Sequence, residues 1–169
     1  SFGSGKTTVA GMFRKQGAAV VDADAIVHRL FKNHAGCRKA VGKVFGAEVL
    51  SRRGVDRIRL ARIVFADMKA LKKLETILHP LVWRETALAL RRAGRDVVVL
   101  DAPLLIEAGW HDKVDAVIVV KAKIVQQVER VKRRMGLGRS DVLRRIRRQM
   151  PLGKKLKYAD FVVDNSGTK

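Results

Sequence analysis

The chain opens on a glycine-rich loop that a helical pattern follows at once, and this arrangement constrains the fold more than any other feature. Residues 1–8 read SFGSGKTT and match the pattern G-x-x-x-x-G-K-[ST] from its second position onward. Glycines let successive backbone N–H groups face inward as an anion nest, and the helix adds the positive end of its dipole. The alternative is a Gly-Ser loop that caps a helix by chance. The predicted phosphate-binding residues are Gly3, Ser4, Gly5, Lys6, Thr7 and Thr8.

Within this loop, two side chains have chemistry of their own. Lys6 can reach the β- and γ-phosphates of ATP, and the hydroxyl of Thr7 is placed to bind Mg²⁺. ATP and Mg²⁺ are therefore the expected cofactors.

Short apolar runs alternate with helical patterns along the chain. The runs are residues 18–21, 97–100, 114–120 and 161–163, and aspartates lie at the ends of three of them. Strands that alternate with helices predict an α/β fold with a parallel sheet. Helices are expected at 8–16, 57–65, 69–78, 81–92 and 124–135, with Pro80 separating the third from the fourth. We expect one domain over 1–169, without the strand before the loop and without a closing helix.

The segment 25–93 contains several helical patterns and no clear strand, so we interpret it as a helical insertion that recognises a substrate. The chain has one cysteine, Cys37, which excludes an internal disulfide and agrees with a reducing cytoplasm. No apolar run approaches the roughly 20 residues that a membrane-spanning helix needs.

The net charge of +20 indicates a polyanionic partner or a highly phosphorylated substrate pair. Between 130 and 157 there are twelve basic residues and one acid. This cluster could clamp phosphates, bind nucleic acid, or form a solvated helix face.

Asp22 and Asp24 follow the strand predicted at 18–21. Asp24 could cap the next helix, a common use of aspartate. Alternatively, one carboxylate could accept a proton from a hydroxyl nucleophile. The spacing alone does not choose between these alternatives.

Taken together, the motifs resemble those of the dephospho-CoA kinase family over nearly the whole chain. The matching segments are the loop at 3–8, then VDAD at 21–24, RIVF at 62–65, LHPL at 78–81, DAPLLIE at 101–107, VIVV at 117–120, Gln127 with Glu129 and Arg130, QMP at 149–151, and VDNSG at 163–167. The combination of the VDAD and LHPL elements is much more specific than a phosphate loop alone.

This resemblance implies a P-loop kinase core with a CoA-binding insertion at 25–93 and a mobile lid at 124–150. The family transfers the γ-phosphate of ATP to the 3′-hydroxyl of dephospho-CoA, the last step of coenzyme A synthesis. By the same resemblance, the catalytic residues are Asp24 as base, Lys6 and the lid arginine Arg134, while Arg145 and Asn165 bind ATP, with Asn165 at its adenine. The expected contacts to dephospho-CoA are Asp24, His79, Pro103 and Leu104, and Asp101 joins Thr7 at the metal.

Several of these residues have a plainer interpretation. His79 and Pro80 could simply end one helix and begin the next, and Asp101 could be an ordinary residue at a strand end. Gln149 could cap the lid helix or contact nucleotide. Met135 and Gly138 depart from the family pattern, which leaves the division of roles among the lid arginines open.

Two rival functions fit part of the sequence. One is another small-molecule or nucleotide kinase, against which the VDAD, LHPL and VDNSG elements weigh. The other is a nucleic-acid-binding ATPase, which would need base-stacking aromatic residues, yet the chain is only 5% aromatic. We expect nucleic acid to bind nonspecifically at most, no membrane partner, and a monomer or small homo-oligomer.

Overall fold

The structure, a computed structural model, describes residues 2–167 as two compact units. We call residues 2–20 and 101–167 the loop unit and residues 21–100 the helical unit. The helices are α1 (Lys6–Lys15), α2 (Ala23–Asn33), α3 (Ala35–Phe45), α4 (Arg57–Ala66), α5 (Met68–Arg92), α6 (Ile124–Met135), α7 (Arg139–Arg147) and α8 (Leu152–Lys155). The strands are β1 (Ala19–Asp22), β2 (Leu50–Ser51), β3 (Gly54–Val55), β4 (Val98–Asp101), β5 (Ile118–Lys121) and β6 (Phe161–Asp164).

The four predicted apolar runs all contain strands, which pair two by two. β5 and β6 are parallel, with Val119 opposite Val162, and β1 pairs with β4. The strand predicted at 114–120 begins only at Ile118, because the Asp160 carboxylate accepts the N–H of Val117 at 2.7 Å and takes that group out of the ladder. The α/β fold class with parallel pairing is thereby confirmed.

The loop unit has a core behind its β5–β6 pair. Ile106, Val117 and Val119 are buried there, and partly buried side chains pack around them: Leu105, Val114, Met150, Leu152 and Ala159. This cluster joins the loop after β4 to the segment that follows α7. Apolar packing therefore fixes two chain segments that carry predicted site residues.

Helix packing and aspartate caps build the helical unit. Ile26, Val41 and Val49 are almost fully buried. Asp56 and Asp67 accept backbone N–H groups at the starts of α4 and α5, which satisfies donors that have no partner within a helix.

Two expectations for the region 25–93 are wrong. The structure has a short antiparallel hairpin, β2–β3, where no strand was expected. The hairpin needs glycine at position 54. Gly54 has a φ of +117°, and a Cβ there would collide with the Phe31 carbonyl.

The second error concerns the predicted break at Pro80. α5 is one helix of 25 residues with Pro80 inside it. Proline removes one helical hydrogen bond. Buried residues on both sides of it, Leu74 and Val82 among them, hold the two halves in one helix.

Across residues 2–167, none of the helices combines the length and the apolar character that crossing a bilayer requires.

Candidate functional site

The glycine-rich loop has the geometry of an anion-binding nest. Gly3 and Gly5 adopt φ values of +73° and +93°, and α1 begins directly after Gly5. The first turn of α1 carries no acidic side chain that would oppose an anion. Its backbone N–H groups and the helix dipole therefore favour a phosphate at this position.

Close packing explains why these two positions need glycine. A Cβ at Gly3 would lie 2.9 Å from the Gln127 carbonyl oxygen and 2.8 Å from a Val131 methyl group, both on α6. A Cβ at Gly5 would collide with the amide of Asn165. The loop is therefore pressed against α6 and the segment after β6.

The carbonyl of Ser4 is held by two side chains that lie far away in the sequence. The Asn165 amide donates to it at 2.9 Å, and the Arg130 guanidinium approaches it at 3.5 Å. Arg130 also donates to the Asn165 carbonyl at 2.9 Å. Because Ser4 is fully buried, these contacts satisfy a group that would otherwise be costly to bury.

Thr7 and Asp101 meet beside the loop. The Thr7 hydroxyl donates to the Asp101 carboxylate at 3.1 Å, although 94 residues separate them. Mg²⁺ takes oxygen ligands and is commonly held by one or two protein side chains together with water and substrate phosphates. A hydroxyl and a carboxylate at this distance fit such an ion. Within residues 2–167, no group of three or more His, Cys, Asp or Glu side chains gathers to form a larger metal site.

The predicted lid contains two helices joined at Gly136–Gly138. α6 covers Ile124–Met135, in agreement with the pattern at 124–135. α7 begins at Arg139, and its N-cap residue, Gly138, provides no side-chain cap, as expected from a glycine at this position. Arg134 is exposed at the end of α6.

Two lid residues contact Phe2 at the start of the loop. The guanidinium of Arg145 lies 5.4 Å from the centre of the Phe2 ring, a cation–π geometry. The side-chain oxygen of Gln149 accepts the Phe2 N–H at 2.8 Å. Gln149 thus binds the backbone of the loop, a role that neither of its two predicted alternatives included.

Asn165 and Arg130 also have structural contacts that the sequence did not reveal. Asn165 was predicted to contact adenine, and its amide here holds the Ser4 carbonyl. Arg130 belongs to a recognised motif but had no assigned role. Contacts between a side chain and distant backbone leave no local pattern in the sequence. The available signal for these roles was that Arg130 and Gln149 belong to motifs of the family resemblance.

In the helical unit, the structure identifies which of the two aspartates caps α2. The cap of α2 is Asp22, whose carboxylate accepts the Ala25 N–H at 3.1 Å. The interpretation of Asp24 as this cap is therefore wrong. Asp24 lies exposed in the first turn of α2, and His79 is half-buried within α5.

The segment after β4 holds the remaining predicted residues. The Pro103 carbonyl accepts a hydrogen bond from Lys155 at 3.2 Å, and the Leu104 side chain is exposed. At the end of β6, hydrogen bonds from Ser166 and then the ammonium of Lys121 lower the pKa of Asp164 below its usual value. Burial raises the pKa of the Cys37 thiol, which therefore stays protonated.

Comparison with known proteins gives a consistent result. The sequence profile of the family described as dephospho-CoA kinase matches residues 1–169. A dephospho-CoA kinase of Aquifex aeolicus is 41% identical over 99% of this chain and 86% of its own length. One of Symbiobacterium thermophilum is 44% identical over 99% of this chain and 72% of its own length.

Solved structures agree with these sequence matches. A crystal structure from Thermus thermophilus has a TM-score of 0.87 at 39% identity, covering 99% of this chain and 86% of its own. A dephospho-CoA kinase from Campylobacter jejuni has a TM-score of 0.66 at 26% identity, covering 97% and 84%.

Proposed function

Because this chain belongs to the dephospho-CoA kinase family, it is an enzyme that phosphorylates the 3′-hydroxyl of dephospho-CoA with ATP, and we propose that Lys6, Asp24 and Arg134 carry out the transfer. The products are coenzyme A and ADP. The observation that best supports the ATP site is the Thr7–Asp101 contact at 3.1 Å beside a glycine-rich loop of anion-binding geometry.

Phosphoryl transfer depends on positioning and on charge stabilisation more than on covalent chemistry. We propose that the backbone N–H groups of the loop hold the phosphates of ATP, with Lys6 neutralising the β- and γ-phosphate oxygens. Arg134 is exposed on α6, where its planar guanidinium could form two hydrogen bonds to the transferred group. Asn165 and Arg145 remain proposed ATP ligands.

Asp24 is the proposed base. Asp24 is exposed in the first turn of α2 and is not the cap of that helix, and we propose that its carboxylate accepts the proton of the 3′-hydroxyl. The remaining proposed contacts to dephospho-CoA are His79, Pro103 and Leu104. The helical segment 25–93 and the segment 124–150 are the proposed CoA-binding insertion and lid.

Thr7 and Asp101 would hold Mg²⁺, which supplies positive charge to the phosphate oxygens when bound. Asp101→Asn removes the charged ligand, so the Mg²⁺ concentration for half-maximal rate should rise by about tenfold. Asp96→Asn, in the turn before β4, is the matched control and should leave it unchanged. An unaltered Mg²⁺ requirement in the Asp101 variant would contradict the metal assignment.

The reaction is tested by coupling ADP release to a readout in the presence of ATP, Mg²⁺ and dephospho-CoA. Adenosine, nucleoside monophosphates and RNA serve as parallel acceptors. We expect turnover with dephospho-CoA alone. Turnover only with a nucleoside monophosphate, or RNA-stimulated ATP hydrolysis, would contradict the proposal. A cytoplasmic location agrees with the single cysteine and stays a prediction.

A further inference from the structure

An ion pair lies largely shielded from solvent within the loop unit. The ammonium of Lys155 is 2.7 Å from Oε1 of Glu107, and the two side chains are 6% and 20% exposed. Removing two charges from water is costly, and their attraction often does no more than offset that cost. A pair of this kind is a weak source of stability, so its contribution is better sought in the groups that it positions.

The pair joins three segments of the chain. Besides its ion-pair contact, the Lys155 ammonium donates to the Pro103 carbonyl at 3.2 Å. Oε1 of Glu107 also accepts the Met150 N–H at 3.0 Å. Oε2 of Glu107 is buried, and no hydrogen-bond partner for it lies within the described part of the chain. Both donors therefore converge on one oxygen, which fixes the Glu107 side chain in a single orientation.

The joined segments have different places in the proposed site. Pro103 precedes the exposed Leu104 in the loop after β4, and both are proposed contacts to dephospho-CoA. Met150 lies just beyond α7, at the end of the proposed lid, and Lys155 ends α8. The carbonyl held by Lys155 is thus part of the segment expected to meet the acceptor substrate.

We infer that Glu107 and Lys155 are positioning residues for dephospho-CoA, which hold the Pro103–Leu104 segment in its binding geometry against the base of the lid. The inference rests on the proposed function, because it takes the substrate contacts of Pro103 and Leu104 from there. Neither charged group needs to touch the substrate. Their effect passes through the Pro103 carbonyl and the Met150 N–H.

Other residues support the proposed ATP site, so the inference predicts an effect mainly on one of the two substrates. Asn165 and Arg130 hold the glycine-rich loop at Ser4, and neither residue adjoins Pro103 or Met150, the two partners of the ion pair. None of these hydrogen bonds involves Glu107 or Lys155. Loss of the ion pair should therefore weaken the use of dephospho-CoA much more than the use of ATP.

The test replaces both charges together, because removing one alone would leave an uncompensated buried charge. Glu107→Leu/Lys155→Met keeps similar side-chain volumes and removes the hydrogen bonds to Pro103 and Met150. We expect the KM for dephospho-CoA to rise by about tenfold while the KM for ATP stays within about twofold. Melting temperatures are measured alongside the kinetics to separate positioning from stability.

Two further variants make the result specific. Lys154→Met applies the same substitution to an exposed neighbour on α8 and should change neither KM. Glu107→Gln/Lys155→Gln keeps a donor and an acceptor without the charges, so it should raise the KM for dephospho-CoA less than the apolar pair does. A purely stabilising ion pair would instead lower the melting temperature in both double variants and leave both KM values unchanged.

A folded apolar pair with the wild-type KM for dephospho-CoA would overturn the inference and leave the proposed function intact. If the apolar pair does not fold, Lys155→Arg decides, because it keeps the charge and shifts the donors. A rise of about threefold in the KM for dephospho-CoA would support the inference, and no change would overturn it. A wild-type protein that does not use dephospho-CoA would overturn both.

Discussion

The loop unit and the helical unit carry their candidate residues in different ways. In the loop unit, the glycine-rich loop takes its shape from side chains that are remote in sequence, because the partners are 161 positions apart in one hydrogen bond and 147 in another. In the helical unit, Asp24 lies on α2 and His79 lies on α5. Nearby backbone caps and apolar packing shape those helices.

This difference predicts how the two units respond to substitution. The proposed phosphate nest of the loop unit consists of backbone groups, so it should be sensitive to changes in φ and to the loss of its supporting side chains. The candidate site of the helical unit consists of side chains on preformed helices, so replacing one side chain should remove its chemistry and leave the fold intact. ATP binding and turnover are the two measurements that separate these cases.

The largest effect is expected for Asp24→Asn in the helical unit. Loss of the proposed proton acceptor should lower kcat by about 10²–10⁴-fold. The affinity for ATP should not change, because the asparagine has the same size and α2 keeps its Asp22 cap. Turnover under saturating substrates and ATP binding by calorimetry provide the two readouts.

Asp22→Asn is the matched control. Asparagine caps helices about as well as aspartate, so α2 should persist and kcat should stay within about threefold of wild type. Equal loss of turnover in the two variants would contradict the assignment of the base to Asp24. Normal turnover in the Asp24 variant would contradict it more directly.

The second largest effect is expected for Gly5→Ala in the loop unit. An alanine at a φ of +93° is strained, and its Cβ would also collide with the Asn165 amide. Left-handed backbone costs about 1–2 kcal/mol for a residue with a Cβ, before any collision. We expect the affinity for ATP to fall by about 100-fold.

Gly11→Ala, in the helix that follows the loop, provides the comparison. Gly11 lies in the middle of α1, and among the described residues outside the backbone of its own helix nothing stands within 4 Å of the position of an added Cβ. Alanine favours helices over glycine, so this variant should melt slightly higher and bind ATP normally. Similar ATP affinities in the two variants would argue against a backbone nest.

Sequence reasoning succeeded where a local pattern carried the information. The periodicity at 124–135 gave the bounds of α6, and the short apolar runs gave β1, β4 and β6 to within one residue at each end. The loop motif predicted the shape of the loop, because its glycines can adopt the positive φ values that an anion nest needs. The assignment of Thr7 and Asp101 to the metal agrees with the hydrogen bond between them and stays a prediction.

Tertiary contacts explain what the sequence could not predict. Proline is an unfavourable residue inside a helix, yet buried residues on either side of Pro80 carry α5 past it. The β2–β3 hairpin depends on the close approach of Gly54 to the backbone of α2. The roles of Arg130 and Gln149 depend on backbone groups more than 100 residues away. None of these contacts has a periodic signature.

Asn165→Ala should produce a smaller effect than Gly5→Ala, because it removes a support of the loop and leaves the loop residues unchanged. The buried Ser4 carbonyl would lose the Asn165 hydrogen bond and keep the longer Arg130 contact at 3.5 Å. Loss of one hydrogen bond to a buried group corresponds to about tenfold weaker ATP binding. Asn33→Ala, on the exposed end of α2, should leave binding unchanged.

Inorganic tripolyphosphate distinguishes the two roles of Asn165. It has phosphates and no adenine, so support of the loop predicts that Asn165→Ala weakens tripolyphosphate and ATP binding by the same factor. If only ATP binding weakened, the contact to adenine would be the main role of Asn165. The sensitivity of the loop unit to remote side chains would then be smaller than its hydrogen bonds indicate.

The smallest effect concerns Asp164, at the end of β6. Hydrogen bonds from Ser166 and the nearby Lys121 ammonium lower its pKa from the ordinary 3.8, so the charged form is favoured in the folded chain. This stabilisation is fully present above the unfolded pKa and is lost as the pH falls through the folded value, below about pH 4. The group is exposed, so the change in melting temperature should be small and should diminish with added salt.

Asp164→Asn should lower the melting temperature near neutral pH and flatten its decline in acid, whereas Asp115→Asn, another exposed aspartate of the loop unit, should do neither. Superimposable acid profiles for wild type and Asp164→Asn would show that the polar contacts at this strand end add no stability to the loop unit.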